Sequence, residues 1–270
     1  MKKLLVVLII IPFVLSCSQY QKVLKSTDYE LKYSKAMEYY EKEDYMRAAT
    51  LLNELQGVYR GTDKAESITY TYANCLYGLN DYLMGGHYYR QFVKTYPTSD
   101  LNEECQFMSA YCYYMQSPKA RLDQTDTYNA INEFQLFVNI YPSSSRVEEA
   151  NRLMDELRDK LVYKSYLNAR LYFDLGNYMG NNYMSAVIAA QNSLKEFPDT
   201  KYREELSFLI LEAKYIQAAN SVFEKKEARM REAIDEYFSF INEFPESEYT
   251  KRAVKIFDEA SAAIDFKVAN

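Results

Sequence analysis

The stretch from Tyr70 to Pro97 reads YTYANCLYGLNDYLMGGHYYRQFVKTYP. It holds two helical phrases, joined by a turn ending in Asp81-Tyr82 and stopped by the aromatic-proline pair Tyr96-Pro97. The first phrase sets a small residue, Ala73, three positions before the bulky Leu76; the second sets Gly85 four before Tyr89 and twelve before Pro97. This phrasing recurs. Aromatic-proline pairs stand at Tyr96-Pro97, Tyr141-Pro142, Phe197-Pro198 and Phe244-Pro245, with prolines 45, 56 and 47 residues apart. Twelve residues before each proline lies Gly85, Ala130, Ala186 or Ala233, and eight before it Tyr89, Phe134, Ala190 or Tyr237. A further copy at Ala48, Leu52 and Tyr59 carries Arg60-Gly61 where the proline would be.

Small residue, bulky residue and terminating proline in this order form the pattern of the tetratricopeptide repeat. The small residue lets two helices of a pair approach, the bulky one fills the gap beside it, and proline stops the helix. Partner helices are marked by Ala36 with Tyr39, Ala73 with Leu76, Ala110 with Tyr113, Ala169 with Tyr172 and Ala213 with Ile216. The first two run into turns ending in Asp44-Tyr45 and Asp81-Tyr82. The last three fit with turns longer by eight, five and eight residues, the first covered by Ser117 to Asp126. Arg146 to Asp174 reads as one long helix or as a pair broken near Tyr163, with no Gly or Pro to enforce the break. Tyr249 to Phe266 reads as a capping helix. The expected fold class is all-α, a right-handed superhelix of five tetratricopeptide (helix-turn-helix) repeats with a C-terminal capping helix. Composition agrees, since 7 Gly and 6 Pro in 270 residues are too few for the turns of a sandwich or barrel.

Lys2 and Lys3 precede an apolar run from Leu4 to Leu15, interrupted by Pro12, which is a signal peptide's plan and too short to span a membrane. Val14-Leu15-Ser16-Cys17 resembles the bacterial lipoprotein cleavage box, with Cys17 lipidated and Leu15 departing from the usual small residue. Ser18 then resembles outer-membrane sorting. A net charge of −6 argues against a nucleic-acid partner. Cys105 and Cys112, seven apart on one helix, are separated by about 10.5 Å of rise, too far to pair. A Cys75–Cys112 bridge is conceivable, but buried thiols are the expectation. The single histidine, His87, reads as a surface or packing residue. No motif supports catalysis, a metal site or a cofactor.

The remaining chemistry is aromatic: 28 Tyr and no Trp. Tyrosine offers an apolar ring with a polar tip, suited to binding surfaces. Positions flanking the small residue of each first helix should line a concave face. They are Glu30, Tyr33, Met37 and Tyr40; Ser67, Tyr70, Asn74 and Tyr77; and Glu104, Phe107, Tyr111 and Tyr114. Roughly half of these rings are expected to pack as core. The fourth repeat presents Tyr163, Tyr166, Arg170 and Phe173, the fifth Ser207, Ile210, Lys214 and Gln217. Arg203, Arg229 and Arg231 are candidates for meeting an acidic partner surface.

The cleavage box, the stretch from Cys17 to Asp28 and five long-turned repeats together resemble the BamD family of outer-membrane protein assembly lipoproteins. The resemblance implies a non-enzymatic scaffold, lipid-anchored to the outer membrane and facing the periplasm. It implies that repeats one to three recognise unfolded β-barrel clients through Tyr33, Met37, Tyr40, Tyr70, Asn74, Tyr77, Phe107, Tyr111 and Tyr114. The later repeats would dock on POTRA domains of a BamA-like barrel protein, with accessory Bam lipoproteins as further partners. The domains would be a signal peptide at 1–16, a lipidated tether at 17–28, an N-terminal half at 29–145 and a C-terminal half at 146–270. An envelope adaptor for another complex and a nutrient-binding lipoprotein are the alternatives.

Overall fold

The computed structural model of the protein describes residues 19–268, with side chains described as far as Ile264. The expected signal peptide and the lipidated Cys17 lie outside the described residues. After a short helical stretch at 19–24, the helices are α1 (Tyr29–Glu41), α2 (Tyr45–Val58), α3 (Lys64–Gly78), α4 (Tyr82–Thr95), α5 (Asn102–Gln116) and α6 (Thr125–Ile140). They continue as α7 (Val147–Leu175), α8 (Asn182–Glu196), α9 (Arg203–Ala219), α10 (Phe223–Glu243) and α11 (Thr250–Val268). Among the described residues there is no strand, and no helix is long and apolar enough to cross a membrane. The all-α class with successive packed helix pairs is as the repeat pattern requires. The stretch Val147–Leu175 is one helix, continuous through Tyr163.

Each feature of the repeat has a visible physical role. Ala36, Ala73, Ala110, Ala169 and Ala213 on the first helices are fully buried, as are Ala48, Ala130, Ala186 and Ala233 on the second. Tyr96, Tyr141, Phe197 and Phe244 are the C-cap residues of α4, α6, α8 and α10, with φ of −123°, −119°, −127° and −128°. Proline pushes the residue before it out of the helical region, so the helix ends there. Three of these rings turn back onto the residue four earlier, Tyr96 on Phe92, Tyr141 on Phe137 and Phe244 on Phe240, at 5.0, 5.6 and 5.4 Å between centroids.

The turn beyond each proline contains a hydroxyl that the sequence pattern did not single out. The backbone N–H groups of Ser99, Ser144, Thr200 and Ser247 donate to the carbonyls of Tyr96, Tyr141, Phe197 and Phe244. Their hydroxyl oxygens accept from the N–H groups of Leu101, Arg146, Tyr202 and Tyr249 at 3.1, 3.1, 3.2 and 3.0 Å. Where proline is missing, Thr62 still closes on the Tyr59 carbonyl, and Gly61 takes a φ of +79°. The α1–α2 and α3–α4 turns are Schellman motifs. Asp44 N–H reaches the Tyr39 carbonyl and Asp81 N–H that of Leu76, with Glu43 and Asn80 at φ +57° and +61°. Asp44 and Asp81 then accept from the N–H groups of Arg47 and Met84, starting the next helix where the Asp-Tyr pairs predicted it.

One expectation about length changes. In the fifth pair only residues 220–222 separate the helices, and the extra residues lengthen α10 to 21. Nothing between Phe223 and Glu243 breaks a helix, since the segment has neither Gly nor Pro. Among the described residues the chain forms two compact units, one running to residue 118 and including 124–157, the other of 119–123 and the residues from 158 on, so their division falls inside α7. Ala150, Leu153, Met154 and Leu157 explain this, because they bury into the core of Phe107, Phe134 and Phe137. The 19–24 stretch, expected as tether, packs Val23 into the first core with Ala36, Leu52 and Leu55.

Cys75, Cys105 and Cys112 are buried free thiols, each pushed up to about 12 by burial, which leaves them inert toward thiol reagents. Cys112 also sets the helix approach at Gly85 and Gly86. A Cβ on Gly85 would meet the Tyr77 backbone nitrogen at 3.4 Å and Cys112 Sγ at 3.6 Å, ordinary contacts that suit the alanine of other repeats. On Gly86 it would stand 3.0 Å from Cys112 Cβ, which cannot swing aside. Gly86→Ala should therefore cost about 1–3 kcal/mol and lower the melting temperature by roughly 2–4 °C per kcal/mol. Gly85→Ala should leave it unchanged or slightly raised, both read by circular dichroism.

Candidate functional site

The first unit gathers the expected lining residues on α1, α3 and α5. Asn74 is their hub. Its amide nitrogen donates to Tyr40 Oη of α1 at 3.2 Å, and its oxygen accepts from Tyr89 Oη of α4 at 2.5 Å. Tyr70, one turn before Asn74, is half-buried; burial first, then the Glu104 carboxylate of α5, pushes its phenol up to about 12. Tyr89 is 1% exposed, and burial pushes its phenol up as well. Tyr89 appeared in the sequence only as the bulky residue of a second helix. The carboxamide within reach of its hydroxyl becomes visible only once α3 and α4 are paired.

Rings continue on both sides of this hub. Tyr33 and Tyr59 lie 6.2 Å apart, with the Lys64 ammonium 4.8 and 5.4 Å from their centroids. Glu30 pairs with Lys64 and accepts from Tyr59 Oη at 2.7 Å, which raises the Tyr59 phenol to about 12. Tyr33 Oη stands 3.4 Å from Ser67 Oγ. Tyr77 faces Tyr111 at 6.3 Å, and Tyr111 stacks on Tyr114 at 5.5 Å and 29°. Tyr114 Oη donates to Glu156 at 2.7 Å. Tyr33, Met37, Tyr40, Tyr70, Asn74, Tyr77, Tyr111 and Tyr114 are all half-buried, each keeping some surface for a ligand. Phe107 is different: at 3% exposed it packs edge-on to Phe134 and Phe137 under the Arg146 guanidinium, and belongs to the core.

In the second unit, Tyr163 and Tyr166 stack with Tyr202, the latter pair at 4.7 Å and 16°. Tyr202 comes from the turn before α9 and was not among the expected residues. Ser207 and Ile210 are buried, Lys214 pairs with Glu236 at 2.5 Å, and Glu205 and Glu212 of α9 line a small hollow with Tyr166, Arg170 and Phe173. The three candidate arginines all have local acceptors. Arg203 reaches Glu243 and the Pro198 carbonyl, Arg229 the Ser221 hydroxyl at 2.6 Å, and Arg231 the Glu227 carboxylate at 3.1 Å. His87 is exposed and meets Tyr88 edge-on at 5.4 Å.

The first unit's face therefore offers ring surfaces flanked by phenol, amide and carboxylate groups, an arrangement for stacking and hydrogen bonding. Removing its hub exposes the cost of the network. Asn74→Ala should destabilise by about 1–3 kcal/mol because it strands the Tyr89 hydroxyl. Adding Tyr89→Phe should cost less than the two single losses summed, a coupling read from urea unfolding of the four proteins in the cycle.

Scanned against models of known families, the chain matches the one described as YfiO, outer membrane lipoprotein, over residues 26–179. A search of curated proteins finds no match. The matched span includes all of α1 to α7, and so every residue of the tyrosine-lined face. It also covers more than half of the 270 residues. By that match, and in line with the resemblance carried by its N-terminus and repeats, the chain belongs to the YfiO family of outer membrane lipoproteins.

Proposed function

We propose that this lipoprotein is a non-enzymatic scaffold of β-barrel assembly, held by lipid on Cys17 at the periplasmic side of the outer membrane. Its first unit takes up segments of unfolded β-barrel proteins, and its second unit docks on POTRA domains of a BamA-like subunit. The observation that carries the reading is the half-buried tyrosine face around Asn74. β-Barrel strands alternate aromatic and polar residues near their ends. Such a segment suits rings spaced along α1, α3 and α5 with hydrogen-bonding groups between them. Scaffolding requires differential contacts with client and subunit, the kind of contact that exposed ring, phenol and amide surfaces supply.

Two measurements test the two halves. In a fluorescence titration with a barrel-derived peptide ending in an aromatic residue, Tyr77→Ala with Tyr111→Ala should weaken binding roughly tenfold or more. The Phe versions of both should retain most of the affinity, and helix content should not change. Equal affinity for all three proteins would remove the client reading. Calorimetric titration of residues 18–270 with the POTRA array of the same organism's BamA-like protein should show saturable one-to-one binding. A folded protein that gives no binding would remove the docking reading.

A further inference from the structure

The described chain begins beside the α1–α2 turn. Tyr20 packs edge-on to Tyr39, near the end of α1, at 5.8 Å, and the Arg47 guanidinium of α2 lies 5.4 Å from the Tyr20 ring. Gln19 and Lys22 line a shallow hollow with Glu38, Tyr39 and Lys42. Only residue 18 separates Gln19 from Cys17. Two residue steps reach at most about 7 Å. A lipid on Cys17 would therefore hold this edge of the first unit near the bilayer.

The same edge carries large apolar side chains exposed among charged ones. The α3–α4 turn is its neighbour, since a Cβ on Gly78 at the end of α3 would run into the Tyr45 ring at the start of α2. Met46 and Leu83 occupy matching places, second in α2 and second in α4. At 64% and 67% they are the two most exposed large apolar side chains among the described residues of this unit, and Met84 adds a third at 38%. Asp44 and Asp81 bend back to cap their own helices, while Glu41 and Glu43 stay exposed beside Lys42, so the apolar side chains would meet the headgroups from turns that also carry charge. We propose that the α1–α2 and α3–α4 turns form a membrane-resting edge, with Met46, Leu83 and Met84 dipping among the lipid headgroups. Side chains of this kind enter the boundary between headgroups and acyl chains. Their part is orientation: the acyl anchor supplies attachment, and the turns decide which way the tyrosine face is presented.

The inference rests on the lipidation of Cys17, so the experiment separates the two. Full-length protein matured in its own envelope is made as Met46→Cys, Leu83→Cys or Thr98→Cys, labelled with a fluorophore and reconstituted into phosphatidylethanolamine–phosphatidylglycerol vesicles carrying acyl-chain nitroxides. The buried native thiols are spared. Thr98 is exposed on the turn at the other end of α4, whose 14 residues span about 21 Å. Probes at 46 and 83 should lose most of their emission, and the probe at 98 should keep it. Protein that floats with the vesicles but shows equal quenching at all three sites, or none at 46 and 83, overturns the resting edge. Protein that does not float overturns the lipid anchor itself, and the resting edge with it.

Discussion

Close approach of paired helices at small residues is the constraint on which the rest of the structure depends. At Ala36, Ala73, Ala110, Ala169 and Ala213, and at their counterparts on the second helices, no side chain beyond a methyl separates the backbones. Burial of the neighbouring Leu52, Tyr89 and Phe134 follows, because each fills the space beside a small residue. The same closeness brings groups from different helices within hydrogen-bonding distance. Tyr40, Asn74 and Tyr89 come from three helices and meet only because those helices are near.

Turn chemistry keeps the pairs in register. Proline ends the second helix, the preceding ring folds back on it, and a hydroxyl two residues after proline closes the turn. Glu66 and Glu103 then accept from the Ser99 and Ser144 hydroxyls, tying each of these two turns to the first helix of the repeat it closes. The hydroxyl was legible in principle, since Ser or Thr stands in that place after all four prolines. Its role is a local hydrogen bond, which the spacing of helix-packing residues does not report. The lengthened fifth pair has a related cause: spacing counts residues without saying whether they extend a turn or a helix.

The tyrosine face was legible as a set of positions. Eight of its nine expected residues keep surface, and the ninth, Phe107, does not. Phe107 and Tyr111 are one helical turn apart and stack on each other at 18°, so periodicity could not tell them apart. What separates them is the second-helix neighbour: Phe134 and Phe137 close over Phe107. The arginines illustrate the reverse limit, since a sequence shows their charge but not the local carboxylates and carbonyls that already engage them.

Lys32 marks the boundary between the two kinds of information. Composition places lysine at the surface, yet Lys32 is 2% exposed and binds both oxygens of Glu54 at 2.6 and 2.7 Å. By itself the sequence determined the helical class, the repeat phase, the helix stops and the positions that flank each small residue. These depend on periodicity and on the backbone preferences of Pro, Gly, Asp and Ala, which act within a few residues. Only the tertiary structure decided which tyrosines remain open, which carboxylate meets Lys32 and where the chain enters beside the first turn. Those outcomes depend on side chains far apart in the chain, whose distances are set when the helices pack.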